Sequence, residues 1–567
     1  MFKKHGLFTT LALVALAALL ALSLAGCKGS GNEEPVDTGD EPVAGGTMSF
    51  YIGEPAYIDP YNAQESEGMQ VTQVLFDSLT AVDPMDATVV NPAAATEWSA
   101  NADASVWTFK LNPDGVFSDG NPVTAADFIY AWNRIANPNT KNTLTGEVDA
   151  SIIAYHIGVV KGFDDVQSGK ATEMSGLKAI DDYTLEVTLS QPFADFPYVT
   201  AHPALCPVEK ALVEGGVDNN GTTVPFGDMP VGNGPFKMAE PWVHDQYIKV
   251  VKNEAYVTGD QPYLDGVEFK IFKDPETAFT EFEAGNLDFT SIGEGKIQDS
   301  IAKYGESVDG YTVNEGTQVV LGDESAIYYL IFNMDDKVMK QAKVREASSL
   351  AINRQAICDV VFEGTRNPAD NFIPPGIAGY ESGAWALAKY DVEAAKKALA
   401  DAGYPEGKGL PTIKLSFNSG GGHEPIFELI QADLAKVGIK TEFDSADFPT
   451  YLAGLDAGKH QLARLGWIAD YPIAYNFMYP MYYSKSGDNK ANYNNATVDA
   501  DIMKAETIVD DTARAAEFAR INKVVAAELP YTPLLFYKHT RVGSARLHDF
   551  VYDAMGMGNF SKVWLSE

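Results

Sequence analysis

The chain has 567 residues, with 78 Asp and Glu against 42 Lys and Arg, for a formal net charge of −36 at pH 7. Such acidity argues against a nucleic acid partner, because a polyanion would be repelled over most of the surface. The length allows several cores at roughly 100–200 residues per domain, and three cysteines are too few for a disulfide scaffold.

Lys3 and Lys4 precede a stretch from Leu7 to Leu24 broken only by Thr9, Thr10 and Ser23. This is the charged-then-apolar layout of a secretory signal. A bilayer core takes about 20 apolar residues, so a transmembrane helix is the competing reading, but the small pair Ala25-Gly26 favours cleavage. Leu24-Ala25-Gly26-Cys27 resembles the bacterial lipobox, which implies removal of residues 1–26 and acylation of Cys27. One acyl chain anchors only marginally, at about 0.8 kcal/mol per buried methylene, whereas two or three hold a protein permanently. Residues 27–45 continue as "CKGSGNEEPVDTGDEPVAG", rich in Gly, Pro and acids and without an aromatic residue, a composition that stays disordered. As a tether it spans about 60 Å fully extended and roughly 20–25 Å as a coil.

"GTMSFYIGEPAYIDP" alternates like a strand up to Asp59-Pro60. Val71, Val74, Leu75 and Leu79 then recur at helical spacing. "SVWTFKL" (105–111) is a strand, Thr124 caps the amphipathic helix "AADFIYAWNRI", and "LKAIDDYTLEVTLS" is a hairpin turning at Asp181-Asp182. Two long helices are predicted, "KVREASSLAINRQAICDVVFEG" ending at Gly364 and "YDVEAAKKALADAG" ending at Gly403. "PTIKLSFNS", "EPIFELIQADLAKVG" and "IKTEFDSA" follow as a βαβ unit. Cys206 and Cys358 lie in apolar settings that suit buried free thiols, although one disulfide between them stays open. Neither a CxxC nor a Cys/His pattern points to a metal, and no motif asks for a cofactor.

The run "AAATEWSANADASVWTFKLNPDGVFSDGNPVTAADFIYAWNRIANP" resembles the extracytoplasmic oligopeptide-, dipeptide- and nickel-binding proteins that serve ATP-driven (ABC) importers. The resemblance continues through "LKAIDDYTLEVTLSQPF", "VGNGPFKM", "VREASSLAINRQAI" and "NYNNATVDADIMKAE", in order along nearly the whole chain. "ARLGWIADYP" (463–472) is most similar to the oligopeptide-binding branch. The resemblance implies an α/β, bilobed, periplasmic-binding-protein-like fold of type II with two hinge crossovers. One lobe would comprise 46–82, 213–325 and 538–567, an inserted domain 83–212, and the second lobe 326–537.

The same resemblance implies the ligand-binding residues. Asp470 matches the aspartate that receives a peptide's α-ammonium, while its local setting "ADYP" alone reads as a turn or cap. Arg464, in the apolar strand "QLARLGW", needs a carboxylate partner, which is either a peptide C-terminus or a structural Asp. Gly466 and Trp467 belong to the shared run, Trp467 as a pocket wall or a core residue. Asn418 and His423, around three glycines, align near the pocket, and His423 is equally an exposed loop residue. Tyr537 matches a pocket tyrosine that otherwise reads as core. Gln64, Glu65, Ser66 and Glu67 fall where the family pairs its main chain with peptide as an added strand; the two glutamates read alternatively as surface acids. Family members of Gram-negative bacteria carry a disulfide that would fall near Ala326 and Ile468, where this chain has no cysteine.

Other solutes of the same importer class, such as dipeptides, sugars, nickel or haem, are the nearest alternatives. A hydrolase lacks support because neither His-Glu-x-x-His nor Gly-x-Ser-x-Gly occurs, and a surface signalling receptor would share the fold. The expectation is a monomeric, non-enzymatic oligopeptide receptor, lipid-anchored to the outer face of the cytoplasmic membrane. Its partners would be an ABC permease and that permease's ATPase subunits.

Overall fold

The computed structural model describes residues 41–566 apart from 294, 420, 421 and 447. The expected signal segment 1–26, Cys27 and the tether as far as residue 40 therefore lie outside the described residues. Three sheets carry most of the architecture. The first has seven strands in the order Phe236–Met238, Tyr247–Lys252, Gly266–Ile271, Thr47–Ile52, Phe289–Ser291, Arg541–Gly543, Val319–Val320. Period-2 alternation in Thr47–Ile52 buries Met48, Phe50 and Ile52. Phe50 is the centre of an aromatic core, 5.3 Å from Phe289 and 5.8 Å from Phe560 between ring centroids, so the C-terminal tail closes the sheet begun at residue 47.

The second sheet orders Asn367–Pro368, Tyr531–Lys538, Asp323–Phe332, Leu462–Ile468, Ile413–Asn418 and Thr441–Ala446. Its central strand Asp323–Phe332 is buried on both faces from Ser325 onward, which is why it reads as a continuous apolar run rather than an alternating one. The expected βαβ unit is present: Ile413–Asn418 and Thr441–Ala446 pair in parallel, joined by the helix Glu424–Lys436. Ala326 and Ile468, the positions at which relatives would carry a disulfide, face each other in register.

The third sheet is four-stranded, in the order Ala95–Ala100, Val106–Leu111, Thr184–Thr188, Leu177–Asp181, and antiparallel throughout. The predicted hairpin and strand are both in it. The helix Ala125–Ala136 starts on a capping box in which Asp127 Oδ2 accepts from the Thr124 amide at 2.8 Å. Cys206 and Cys358 are buried and unbridged.

Two sequence expectations change. The helix that carries Val71, Val74 and Leu75 spans Ser66–Leu75 and does not reach Leu79, which is buried in a bend before Thr80–Val82. Its end is set by "VGNGPF": the Gly234 amide donates to the Leu75 carbonyl at 2.9 Å, and a Cβ on Gly232 would lie 1.9 Å from that same oxygen. Only a glycine permits that approach. The long helix expected up to Gly364 is two helices, Ala342–Ala351 and Arg354–Val361. Asn353 ends the first by capping the second, accepting from the Ala356 amide at 3.1 Å, a role Asn fills better than a helix interior. The buried Arg354 guanidinium satisfies the carbonyls freed there, donating to Ser349 and Ile352 at 3.2 Å and to Pro533 at 2.7 Å.

Two buried ion pairs join segments that are far apart in the chain. Arg134 donates from Nη1 and Nη2 to the two Asp59 carboxylate oxygens at 2.6 Å each, lies 4.3 Å over the Tyr61 ring, and shares Asp59 with the Thr143 hydroxyl at 2.9 Å. Arg514 likewise pairs with Asp195, both buried.

Candidate ligand-binding site

Residues 468–472 follow directly from the strand Leu462–Ile468 and form one wall of a cavity of about 580 Å³. The segment 64–67, the helix it enters and the C-terminal tail near Met555 and Met557 line the same cavity. The structure thus brings Asp470 together with Gln64, Glu65, Ser66 and Glu67 across some 400 residues of chain.

The Asp470 carboxylate is fixed from two sides. The Tyr155 hydroxyl donates to Oδ1 at 3.0 Å and the Asn476 side-chain amide to Oδ2 at 3.0 Å. Asn476 Oδ1 in turn accepts from the Asp470 amide at 3.0 Å and from Trp467 Nε1 at 3.2 Å. Gln64 Nε2 donates to the Tyr155 hydroxyl at 3.2 Å, so Tyr155 links Gln64 to Asp470. A carboxylate has about four lone-pair sites, so two such holds orient Asp470 and leave acceptor capacity for a cation. Behind Tyr155 the rings of His156 and His202 stand 4.3 Å apart. Burial pushes both imidazoles down to about 3, which leaves them neutral in ordinary buffers and adds no positive charge behind Asp470.

The remaining expected residues gather elsewhere on the second sheet. Arg464 Nη1 donates to Asn418 Oδ1 at 2.9 Å, and its guanidinium lies 4.5 Å over the Tyr328 ring. Among the described residues its buried Nε has no hydrogen-bond partner and no carboxylate pairs with it. His423 Nδ1 lies 3.3 Å from the Tyr328 hydroxyl, and burial followed by repulsion from Arg464 pushes this imidazole down to about 4. Tyr537 packs 6.2 Å from Tyr328 and 4.7 Å from the Arg366 guanidinium. A Cβ at Gly466 would meet the Tyr537 hydroxyl at 2.5 Å, so a larger residue there would displace the Tyr537 ring. Gly420 and Gly421 of the expected glycine loop lie outside the described residues.

One expectation needs correction. Ser66 and Glu67 are the first helical residues of Ser66–Leu75, so they do not offer an extended main chain for an added strand; only Gln64 and Glu65 precede the helix. Glu65 is not a free surface acid either, because its Oε1 accepts the Ala56 and Tyr57 amides at 2.7 and 3.3 Å. Sequence reasoning missed Tyr155 and Asn476. The Asn476 position has a local signal, six residues beyond Asp470, but Tyr155 has none.

A model of the bacterial extracellular solute-binding proteins, family 5, matches residues 89–489. The chain belongs to this family. Family 5 proteins are the receptors of ABC importers, and the bilobed type II fold anticipated from the sequence is the one observed. The oligopeptide-binding protein OppA of Bacillus subtilis is 28% identical over 570 residues, covering 99% of each chain. The periplasmic OppA of Salmonella typhimurium is 29% identical over 503 residues, 86% of each. Among solved structures, the murein tripeptide-binding protein MppA in its unliganded open form superposes with a TM-score of 0.76 at 25% identity, over 92% of this chain and 98% of that one.

Proposed function

We propose that this family 5 receptor captures oligopeptides between its lobes and passes them to an ABC permease without acting chemically on them. The observation that carries the reading is Asp470, a carboxylate oriented by Tyr155 and Asn476 on the wall of a 580 Å³ cavity, a size suited to small ligands. A peptide presents an ammonium to such a group. The Arg464 cluster, a buried cation without a carboxylate among the described residues, supports capture of the opposite terminus. The names of the two OppA relatives point the same way.

In this reading one lobe comprises 46–82, 213–325 and 538–567, the inserted domain 83–212 and the second lobe 326–537. The three large sheets support that division, since each draws its strands almost wholly from one of these groups. The strands Asp323–Phe332 and Tyr531–Lys538 begin and end at the proposed crossings and would carry the hinge. Cys27, acylated after removal of residues 1–26, would anchor the monomeric receptor outside the cytoplasmic membrane. Calorimetric titration with an unmodified tetrapeptide should give saturable binding that an oligosaccharide does not compete; competition by the sugar would refute the peptide assignment. Cys27→Ser should move the protein from the membrane fraction to the soluble one, and unchanged membrane retention would rule out the anchor.

A further inference from the structure

Among the described residues the cavity at Asp470 is lined by five acids, Glu65, Glu67, Asp77, Asp470 and Asp553, and by no Lys or Arg. Three of them are already held by the protein: Glu65 by two amides, Asp470 by Tyr155 and Asn476, and Asp553 by the amides of Met555 and Met557 at 2.9 Å each. Asp77 differs. Its amide and carbonyl are tied to Asn233 at 3.0 and 3.1 Å, which fixes the backbone, but Oδ2 is buried without a hydrogen bond. Burial pushes this carboxyl up to about 7 against the pull of the Tyr256 and Thr258 hydroxyls. A buried carboxylate oxygen with no partner is unfavourable unless a cation or donor arrives. Around it the lining is apolar and deformable, with Val74, Phe76, Met555, Met557 and Phe560 on the surface of the same cavity. Such walls suit the methylene stem of a long basic side chain whose head seeks an acid.

We infer that the cavity selects peptides whose first residue is lysine or arginine, the α-ammonium meeting Asp470 and the side-chain cation meeting Asp77. This rests on the peptide reading above and adds to it a specificity-determining residue. The apolar walls alone would accept a norleucine side chain of the same stem, so the amine is what Asp77 distinguishes.

The test is calorimetric titration of the whole protein with Lys-Ala-Ala-Ala, norleucine-Ala-Ala-Ala and Ala-Ala-Ala-Lys. The lysine-first peptide should bind at least tenfold tighter than the norleucine-first one, and placing lysine last should give no comparable gain. In Asp77→Asn, which keeps the side-chain shape and the backbone ties to Asn233, the lysine advantage should fall below threefold while the norleucine-first peptide binds as before. Equal affinity of the lysine-first and norleucine-first peptides for the unaltered protein would overturn the inference. So would an advantage that survives in Asp77→Asn, or one equally strong with lysine last, which would report overall charge. Failure of all three peptides to bind would instead defeat the peptide reading itself.

Discussion

Asp470→Ala weakens binding of peptides with a free α-amine by at least tenfold and leaves N-acetylated peptides at their original affinity. Removing one partner of an enclosed charge pair typically costs about 2–5 kcal/mol, and tenfold corresponds to about 1.4 kcal/mol, so the expected loss exceeds the threshold with room to spare. The carboxylate is oriented by Tyr155 and Asn476; little ordering remains for the ligand to supply. Asn476→Ala keeps the charge and removes one of the two holds, and should give a smaller loss confined to the same free-amine peptides. Parallel titrations decide the matter, and equal losses for free and acetylated peptides would contradict the assignment.

The second large effect is on stability. Asp59→Ala leaves the Arg134 guanidinium buried without its carboxylate, and breaking a buried pair from one side costs about 3–5 kcal/mol. Tyr61 stacks on the same guanidinium and Thr143 donates to the same carboxylate, so the loss spreads to both neighbours. Asp59→Leu combined with Arg134→Met should recover much of the stability, because an apolar pair removes the stranded charge. Urea denaturation midpoints measure both. A single variant less than about 1 kcal/mol below the parent would resemble a surface pair instead.

What the sequence revealed follows from how far each signal reaches along the chain. The strand Val106–Leu111, the hairpin at Asp181, the Thr124 capping box and the βαβ unit at 413–446 all depend on neighbours within about one element, and their periods and caps were legible. The break at Asn353 and the early end of the helix at Leu75 were not. The first turns on Arg354 reaching Pro533 and the second on the Gly234 amide, contacts made through the tertiary fold. The site divides the same way. Asp470 and Arg464 stood out because a family motif spans them, whereas Tyr155 lies 315 residues from the aspartate it positions. Asp77 gave no signal at all, since its distinction is a missing hydrogen bond.

What the cleft carries decides the function. Native mass spectrometry of the protein purified without denaturation, followed by release and sequencing of the bound material, reads this directly. The prediction is a population of short peptides of mixed sequence with free N-termini. A single sugar, a metal chelate or a bile-acid-like lipid recovered at stoichiometric occupancy would contradict it.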